Sequence, residues 1–218
     1  MNEALSIVQR GGIVMIPLLI CSITALTIVI ERSISLGRKR VIKPEIVNVI
    51  DTIKKPEDVP LAISICQKNQ GPFAQIVQFG LENMGLPRVE LTELVTDQGR
   101  QEVRSLEKGL VVLETIAGIA PLLGLLGTVL GMIKVFTVVS QQGVGQAQAL
   151  SGGISEALIT TVFGLSIGIP ALVVFNLFTK RTENFVMDIE KFSSRLLRKL
   201  IRFKLHGESG NTYSVERV

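Results

Sequence analysis

The sequence predicts an all-α membrane protein that crosses the bilayer three times. Three windows contain no charged residue, namely residues 11–30, 115–133 and 157–179. Each is long enough to cross a hydrocarbon core of about 30 Å as a helix, at about 1.5 Å per residue. The positive mean hydropathy, the scarcity of aromatic residues and the absence of Trp agree with an aliphatic helical bundle.

The first window lies near the N-terminus, so a secretory signal peptide is an alternative interpretation of it. The window is longer than a typical apolar h-region, and its basic residues follow it rather than precede it. We therefore expect a membrane helix at residues 11–30 that is retained, after a short N-terminal segment at residues 1–10.

The basic residues predict the orientation of the chain, because such residues concentrate on the cytoplasmic side of a membrane. They follow the first window, precede the second and follow the third. Those after the third window either contact an anionic lipid leaflet or lie on a solvated helix face. The turn between the last two spans carries no charge. The predicted order is a periplasmic N-terminus, the first span, a cytoplasmic helical region at 31–114, a second span at 115–139, a periplasmic turn at 140–153, a third span at 154–179 and a cytoplasmic helix and tail at 180–218.

The predicted cytoplasmic region begins with proline-rich sequence and ends with a helical pattern. Proline interrupts helices, so several short helices are expected around Pro44, Pro56, Pro60, Pro72 and Pro87. From Val89 onwards apolar residues recur at helical spacing up to the second window, which predicts one helix that is part cytoplasmic and part membrane. The same pattern beyond Lys180 predicts a long extension of the third span.

Two charged residues and two threonines lie at membrane depth. If the last two spans form a hairpin about residues 141–148, Lys134 and Glu156 share one level, and Thr128 and Thr161 share another on the order of 20 Å from the turn. Charged groups inside a bilayer face a bundle interior or a cavity and mark ion pathways. The simpler alternatives are that Lys134 reaches the headgroups, that Glu156 caps the third span, and that each threonine bonds to its own helix.

One geometric difficulty concerns two of these residues. Glu156 and Thr161 are five residues apart, about 140° around an ideal helix. They cannot both point squarely at the same axis unless the helix is irregular near Gly152 and Gly153.

Small residues form one face of each of the last two spans. They are Gly124, Gly127, Thr128 and Gly131 on the second span, and Thr161, Gly164 and Gly168 on the third. Such faces allow helices to approach closely, so they either line a pore or pack the hairpin together. Pro121 and Pro170 predict a kink near the inner end of each span, where carbonyl groups are left without helical partners.

Several classes of function are not expected. The sequence has no nucleophile–base pair, no phosphate-binding loop and no metal-ligand spacing, so we expect neither enzymatic activity nor a cofactor or metal. Cys21 lies within the first span and Cys66 in the polar region, so a disulfide is not expected. The net charge is +4, and the basic residues are concentrated near the ends of the spans. This distribution argues against nucleic acid as a partner.

The last two spans resemble a known family. The stretch Ala120-Pro-Leu-Leu-Gly-Leu-Leu-Gly-Thr-Val-Leu-Gly-Met resembles the second-span signature of the MotA/TolQ/ExbB proton-channel family. The third-span signature is matched by Gly153-Ile-Ser-Glu-Ala-Leu-Ile-Thr-Thr-Val-Phe-Gly, followed by Ile169-Pro170 and Asn176, and Glu31-Arg32 fits the end of the first span. Three spans rather than four favour the ExbB/TolQ branch over MotA-type stators.

The resemblance implies an inner-membrane homopentamer whose second and third spans line a pore. That pore would hold two copies of a single-span partner of the ExbD/TolR type, whose membrane Asp takes up and releases protons. The flow would drive a TonB-like transducer for import or, alternatively, a TolA-like one for envelope maintenance. The family's pore threonines correspond to Thr128 and Thr161, and its third-span glutamate corresponds to Glu156. A passive assembly scaffold is the alternative from another class.

Lys134 departs from the family pattern, which more often has an uncharged or weakly basic polar residue there. We hypothesise that Lys134 pairs with Glu156, within one chain or across a subunit boundary, and keeps the carboxylate ionised. The coupling ion stays open at this point, because threonine hydroxyls can relay protons or coordinate Na⁺. Residues 115–179 contain no Asp, so a partner is expected to supply the titrating carboxylate and the chain alone is not expected to conduct.

Overall fold

The structure is a computed structural model that describes residues 11–53, 55–143 and 147–212. Stretches of three helices are long and apolar enough to cross a membrane. The predicted all-α fold with three candidate spans is thereby confirmed. The elements in these residues are α1 (Met15–Ser35), α2 (Arg38–Val41), α3 (Pro44–Thr52), a 3-10 turn (Pro56–Asp58), α4 (Val59–Lys68), α5 (Pro72–Glu82), α6 (Arg88–Glu107), α7 (Leu110–Gln142) and α8 (Ala147–Thr212).

The prolines that divide the region before α6 stand where helices begin. Pro44 and Pro72 are the first residues of α3 and α5, Pro56 starts the 3-10 turn, and Pro60 lies in the first turn of α4. Pro87 is the N-cap of α6. A proline is tolerated at these places, because the N–H groups of a first turn have no partner within the helix. The prolines therefore separate short helices by starting each new one.

The prediction of one helix running from Val89 into the second span is wrong. Lys108 leaves the helical region with ψ 130°, and Gly109 has φ 85°, in the left-handed region that favours glycine. Helix α7 then begins at Leu110, and its first turn includes the bond from the Leu113 N–H to the Gly109 carbonyl. The apolar spacing did not reveal this break, because the side-chain pattern continues across the two residues.

The predicted extension of the third span is present, since α8 continues without interruption well beyond Lys180. The turn before it is shorter than the predicted 140–153. Helix α7 ends at Gln142, Gly143 has φ 77°, and α8 already begins at Ala147. Gly152 and Gly153 both lie within regular α-helix, so α8 is not irregular at this point.

The chain divides into two compact units. The first comprises the chain up to Arg32 together with Gly109–Phe178, and it contains the three candidate spans. Only 22% of the apolar window of each span is buried within the chain. The remaining surface is rich in exposed aliphatic side chains such as Ile16, Leu122 and Leu158. Apolar surface of this extent requires cover by lipid or by other subunits, as in a membrane protein.

The second unit comprises Ser33–Lys108 and the chain from Thr179 onwards, and it is a helical bundle with an apolar core. Phe73 of α5 is fully buried, and its ring lies 5.6 Å from that of Phe192 on α8, at an interplanar angle of 49°. Aromatic rings at this separation and tilt attract each other beyond the burial of their area. This contact fixes α5 against the extension of α8.

Both cysteines are free thiols. Cys66 of α4 is buried in the second unit, and this burial, followed by the negative charge of Glu82, raises the pKa of its thiol to about 11. The thiol therefore stays protonated at neutral pH. Because thiolates are the reactive form, Cys66 is a packing residue of the bundle rather than a reactive group.

Lys199 of α8 closes the C-terminal end of α3. Its ammonium nitrogen lies 2.6 Å from the carbonyl oxygen of Ile50, 2.9 Å from that of Asp51 and 3.4 Å from that of Ile53. A helix end leaves such carbonyls without partners, and a cation there is stabilising. Replacing Lys199 by methionine is expected to lower the free energy of unfolding by about 1–2 kcal/mol. The melting temperature of the purified protein should then fall by about 2–8 °C.

Lys191→Met is the matched control for Lys199→Met, because Lys191 is an exposed lysine on the same helix. Its melting temperature should stay close to that of the parent protein. Equal shifts for the two variants would show that the contact of Lys199 with α3 contributes no specific stability.

Candidate ion-pathway site

Helices α7 and α8 approach each other so closely that their backbones touch. A Cβ atom on Gly131 would lie 2.7 Å from the carbonyl oxygen of Gly153, and one on Gly164 would lie 2.6 Å from that of Ala120. Real Cβ atoms do not approach backbone oxygens to these distances, so a side chain at either glycine would push the helices apart. Small residues allow this kind of contact between membrane helices.

Of the other residues named from the sequence for helix packing, all but Pro170 lie in the same contact. Pro121 packs there through its ring, whose Cγ would lie 2.6 Å from a Cβ on the facing glycine. Pro170 is exposed within α8. The remaining glycine contacts across the hairpin are Gly124 with Gly164, Gly127 with Thr160 and Gly168 with Pro121.

Lys134 of α7 and Glu156 of α8 form an ion pair within one chain. The ammonium nitrogen lies 2.5 Å from Oε1 and 2.7 Å from Oε2 of the carboxylate. The lysine side chain is 57% exposed and the glutamate side chain 16% exposed. The long lysine side chain spans the gap between the helices, so Glu156 need not face α7 squarely. A regular α8 therefore allows both Glu156 and Thr161 to contact α7.

Gly12, just before α1, covers the carboxylate of Glu156. Its φ is 67°, and a Cβ at this position would overlap Oε1 of Glu156. The neighbouring Gly11 lies against Ile159, which is on α8 like Glu156. The start of α1 thus shields the glutamate and leaves Lys134 as the exposed member of the pair. Sequence analysis missed this role, although two adjacent glycines at the start of an apolar window are a signal of a close backbone approach.

The two threonines predicted to share a level have different partners. The hydroxyl of Thr161 lies 3.2 Å from the carbonyl oxygen of Gly124 on α7 and 3.2 Å from that of Ala157 on its own helix. The hydroxyl of Thr128 donates to the carbonyl of Leu125 at 2.6 Å, within α7. Thr161 therefore connects the two helices, whereas Thr128 bonds back to its own. The backbone of Thr161 lies against Gly124, which is about one helical turn before Thr128, so the two threonines do not share a level.

Thr160 is a buried polar residue that sequence analysis did not single out. Its side chain has no exposed surface and packs against Gly127. The hydroxyl donates to the carbonyl oxygens of Ala157 at 2.9 Å and Glu156 at 3.1 Å. Small residues recur at four-residue spacing on both helices, and this repeat could have identified Thr160 from the sequence. It places Thr160 and Gly164 opposite Gly127 and its neighbours.

Arg32 near the end of α1 is 5% exposed, and its guanidinium lies 3.3 Å from the carboxylate of Glu31. A Cβ on Gly109 would lie 3.4 Å from Nε of this arginine. The left-handed glycine that precedes α7 thus also leaves room for the arginine. The Glu31-Arg32 pair identified in the sequence therefore lies beside the start of the second span.

This fold and site define a multi-pass α-helical membrane protein with an ion pair and hydroxyl groups in a glycine-packed hairpin. Residues 68–191 match the MotA/TolQ/ExbB proton channel family. The chain is 33% identical over 173 residues to the ExbB-like biopolymer transport protein 3 of Synechocystis sp., an alignment that covers 78% of this chain and 82% of the relative. The chain belongs to the MotA/TolQ/ExbB proton channel family.

Two further relatives differ more in length. The ExbB-like biopolymer transport protein 1 of Synechocystis sp. is 38% identical over 173 residues, which cover 76% of this chain and 66% of the relative. The biopolymer transport protein ExbB of Pseudomonas putida is 32% identical over 199 residues, which cover 85% of this chain. This chain spans only 58% of the length of the P. putida protein.

Proposed function

We propose that this chain is the channel subunit of an ion-motive-force-driven motor of the ExbB/TolQ type in the bacterial inner membrane. Its copies form a homo-oligomer, a pentamer, with the N-termini in the periplasm and the C-termini in the cytoplasm. A single-span partner of the ExbD/TolR type occupies the pore, and proton flow is converted into work on a TonB-like transducer for import. A TolQ-type role in envelope maintenance, through a TolA-like transducer, is the alternative within the family.

The observation that carries this proposal is the exposure of Lys134. Glycine contacts hold α7 and α8 together within the chain, yet the lysine side chain remains 57% exposed on the surface of the hairpin. A charged group facing hydrocarbon costs several kcal/mol. The face of the hairpin that carries Lys134 is therefore expected to lie against polar surroundings rather than lipid. A water-containing pore or the membrane segment of another chain supplies such surroundings.

The number of carboxylates in the last two spans supports a proton-carrying group on a separate partner protein. Glu156 is the only carboxylate in residues 115–179, and Lys134 contacts both of its oxygens. The spans of this chain therefore offer no unpaired carboxylate for proton uptake and release. We propose that the partner supplies it, and that the chain itself performs no enzymatic step. Proton flux into liposomes should then require both proteins, and equal flux with the purified chain alone would contradict the proposal.

A passive assembly scaffold is the second candidate function. The observation in its favour is that all five glycines predicted to pack helices have contacts inside the hairpin. In a scaffold the hydroxyl groups of the hairpin would serve only to satisfy carbonyl groups. The two candidates therefore differ in what they expect when one hydroxyl is removed without a change of shape.

Thr161→Val distinguishes the two functions, because valine keeps the shape of threonine and lacks its hydroxyl. If Thr161 belongs to the ion pathway, partner-dependent proton flux should fall by on the order of tenfold, which corresponds to about 1.4 kcal/mol. The mass of the oligomer, measured by light scattering, should not change. Full flux in the variant would favour the scaffold.

Thr137→Val is the matched control for Thr161→Val. Thr137 is an exposed threonine of α7 whose hydroxyl donates to the carbonyl of Ile133 in its own helix. Its replacement should leave both flux and oligomer mass unchanged. A loss of flux in both variants would indicate a general intolerance of valine in the spans rather than a role for Thr161.

A further inference from the structure

A groove of about 600 Å³ lies in the second unit, where the first and third spans end. Leu36 follows α1 directly, and Arg181 comes two residues after the end of the charge-free window 157–179. The volume is within the range of about 300–1,000 Å³ that is typical of small-ligand sites. This boundary groove is lined by the polar Arg181, Asn184 and Asp188 and by the apolar Leu36, Phe185 and Met187, with Gly37 beside them.

The polar groups of the boundary groove follow a fixed order along α8. Arg181 lies nearest the third span and Asn184 comes next. Asp188 is seven residues beyond Arg181, a rise of about 10 Å. Within the described part of the chain, none of these three side chains has a hydrogen bond or an ion pair. One positive group, one amide and one negative group are therefore available to a ligand.

The apolar side of the boundary groove completes the pattern. Leu36 and Phe185 are buried beneath it, whereas Met187 is 59% exposed. A ligand that matches the groove has an anionic group beside Arg181, at the end nearest the third span, and a cationic group beside Asp188, further from that span. A phospholipid with an amine in its headgroup has its parts in this order.

We propose that the boundary groove binds the headgroup of phosphatidylethanolamine from the adjacent leaflet. The guanidinium of Arg181 donates to the phosphate, for which its planar fork is suited. The carboxylate of Asp188 accepts hydrogen bonds from the terminal ammonium, and Asn184 bridges the space between them. The site does not depend on the proposed channel activity.

Other phospholipids satisfy only part of the boundary groove. Phosphatidylglycerol offers a phosphate to Arg181 but no cation to Asp188. Phosphatidylcholine carries a cation, but its quaternary nitrogen has no N–H group to donate. A surface that recognised only anionic lipid would need no carboxylate, and Asp188 would oppose binding there by like-charge repulsion. The carboxylate therefore selects the amine-containing lipid.

Native mass spectrometry of the purified protein tests this site by titration with the three lipids, all with identical acyl chains. Phosphatidylethanolamine should bind roughly tenfold more tightly than phosphatidylcholine, a difference of about 1.4 kcal/mol, because only its ammonium can donate hydrogen bonds to the carboxylate. Equal affinity for the two lipids would overturn the proposal. Tighter binding of phosphatidylglycerol would also overturn it and would indicate an anionic-lipid surface.

Two variants locate the site. Asp188→Asn should abolish the preference for phosphatidylethanolamine over phosphatidylcholine, while Arg181→Gln should weaken the binding of all three lipids. Lys180→Gln and Glu183→Gln are matched controls, because these neighbouring exposed residues of α8 do not line the groove. A preference that survives Asp188→Asn, or effects of equal size in the controls, would show that the lipid binds elsewhere.

Discussion

Replacing Gly164 by alanine is expected to separate α7 from α8 and to prevent assembly of the protein. The new Cβ would lie 2.6 Å from the carbonyl oxygen of Ala120 and 2.9 Å from the Cα of Gly124. Both neighbours are backbone atoms, which cannot rotate away, so the whole of α7 must shift. Overpacking of this kind costs about 1–3 kcal/mol, and the melting temperature should fall by about 2–12 °C. Size-exclusion chromatography in detergent should show loss of the monodisperse oligomer.

Gly118→Ala is the matched control for this substitution. Gly118 is an exposed glycine of α7, and no other part of the described structure lies within 4 Å of a Cβ built on it. Since alanine favours a helix over glycine by about 1 kcal/mol, this variant should be as stable as the parent protein or more so. Equal losses in both variants would mean that glycine content matters and that the α7–α8 contact does not.

A double variant tests the same contact at a point where the neighbour is a side chain. A Cβ on Gly127 would overlap the side chain of Thr160, so Gly127→Ala alone should destabilise the hairpin. In a Thr160→Gly background the same alanine should cost much less, which gives a strongly non-additive cycle. Additive losses would show that the two residues do not meet. Gly164→Ala should have no such rescue, because its neighbours are backbone atoms.

Neutralising Lys134 alone, as Lys134→Met, is expected to cause a comparably large loss. Glu156 would keep its charge at membrane depth, where its side chain is 16% exposed and is covered by Gly12. An unpaired charge inside a bilayer costs at least about 2.5–3.5 kcal/mol. We expect lower yield, a reduced fraction of assembled protein and loss of partner-dependent proton flux, each measured against the parent protein.

Two double variants separate the pairing of these residues from the need for a charge. Lys134→Gln with Glu156→Gln removes both charges and keeps two side chains that can hydrogen-bond, so assembly should return. Exchange of the charges, Lys134→Glu with Glu156→Lys, should restore assembly and, if the pair serves the ion pathway, flux. If the exchanged pair behaves no better than either single exchange, Lys134 and Glu156 do not act as a pair.

Much of the fold followed from the sequence because it depends on local chemistry. The three spans required only an absence of charge over enough residues, and the extension of α8 required only a continued helical pattern. Prolines marked the short helices for a similar reason, since their ring restricts the backbone wherever they occur. The break at Gly109 was missed. The spacing of apolar residues indicates which side chains lie on one face, but it does not indicate whether the helix backbone is continuous from one turn to the next.

The candidate site was predictable in part. Lys134 and Glu156 were expected at one level from residue counts, and the structure pairs them within one chain. Thr128 and Thr161 were expected at one level by the same counting, yet Thr161 meets Gly124 instead. The two predictions fared differently because the side chains differ in length. A lysine can still reach its partner when the predicted position along the helix is wrong by a few ångströms, whereas a threonine cannot.

The sequence by itself determined that this protein is a three-span helical membrane protein with polar groups in a glycine-rich hairpin. These properties follow from charge, helix length and small residues along one chain. Only the tertiary structure decided that Gly12 covers Glu156, that Thr160 is buried against Gly127 and that the glycines contact backbone across the hairpin. Such contacts depend on the rotation and register of one helix against another, which the spacing of residues within each helix does not specify.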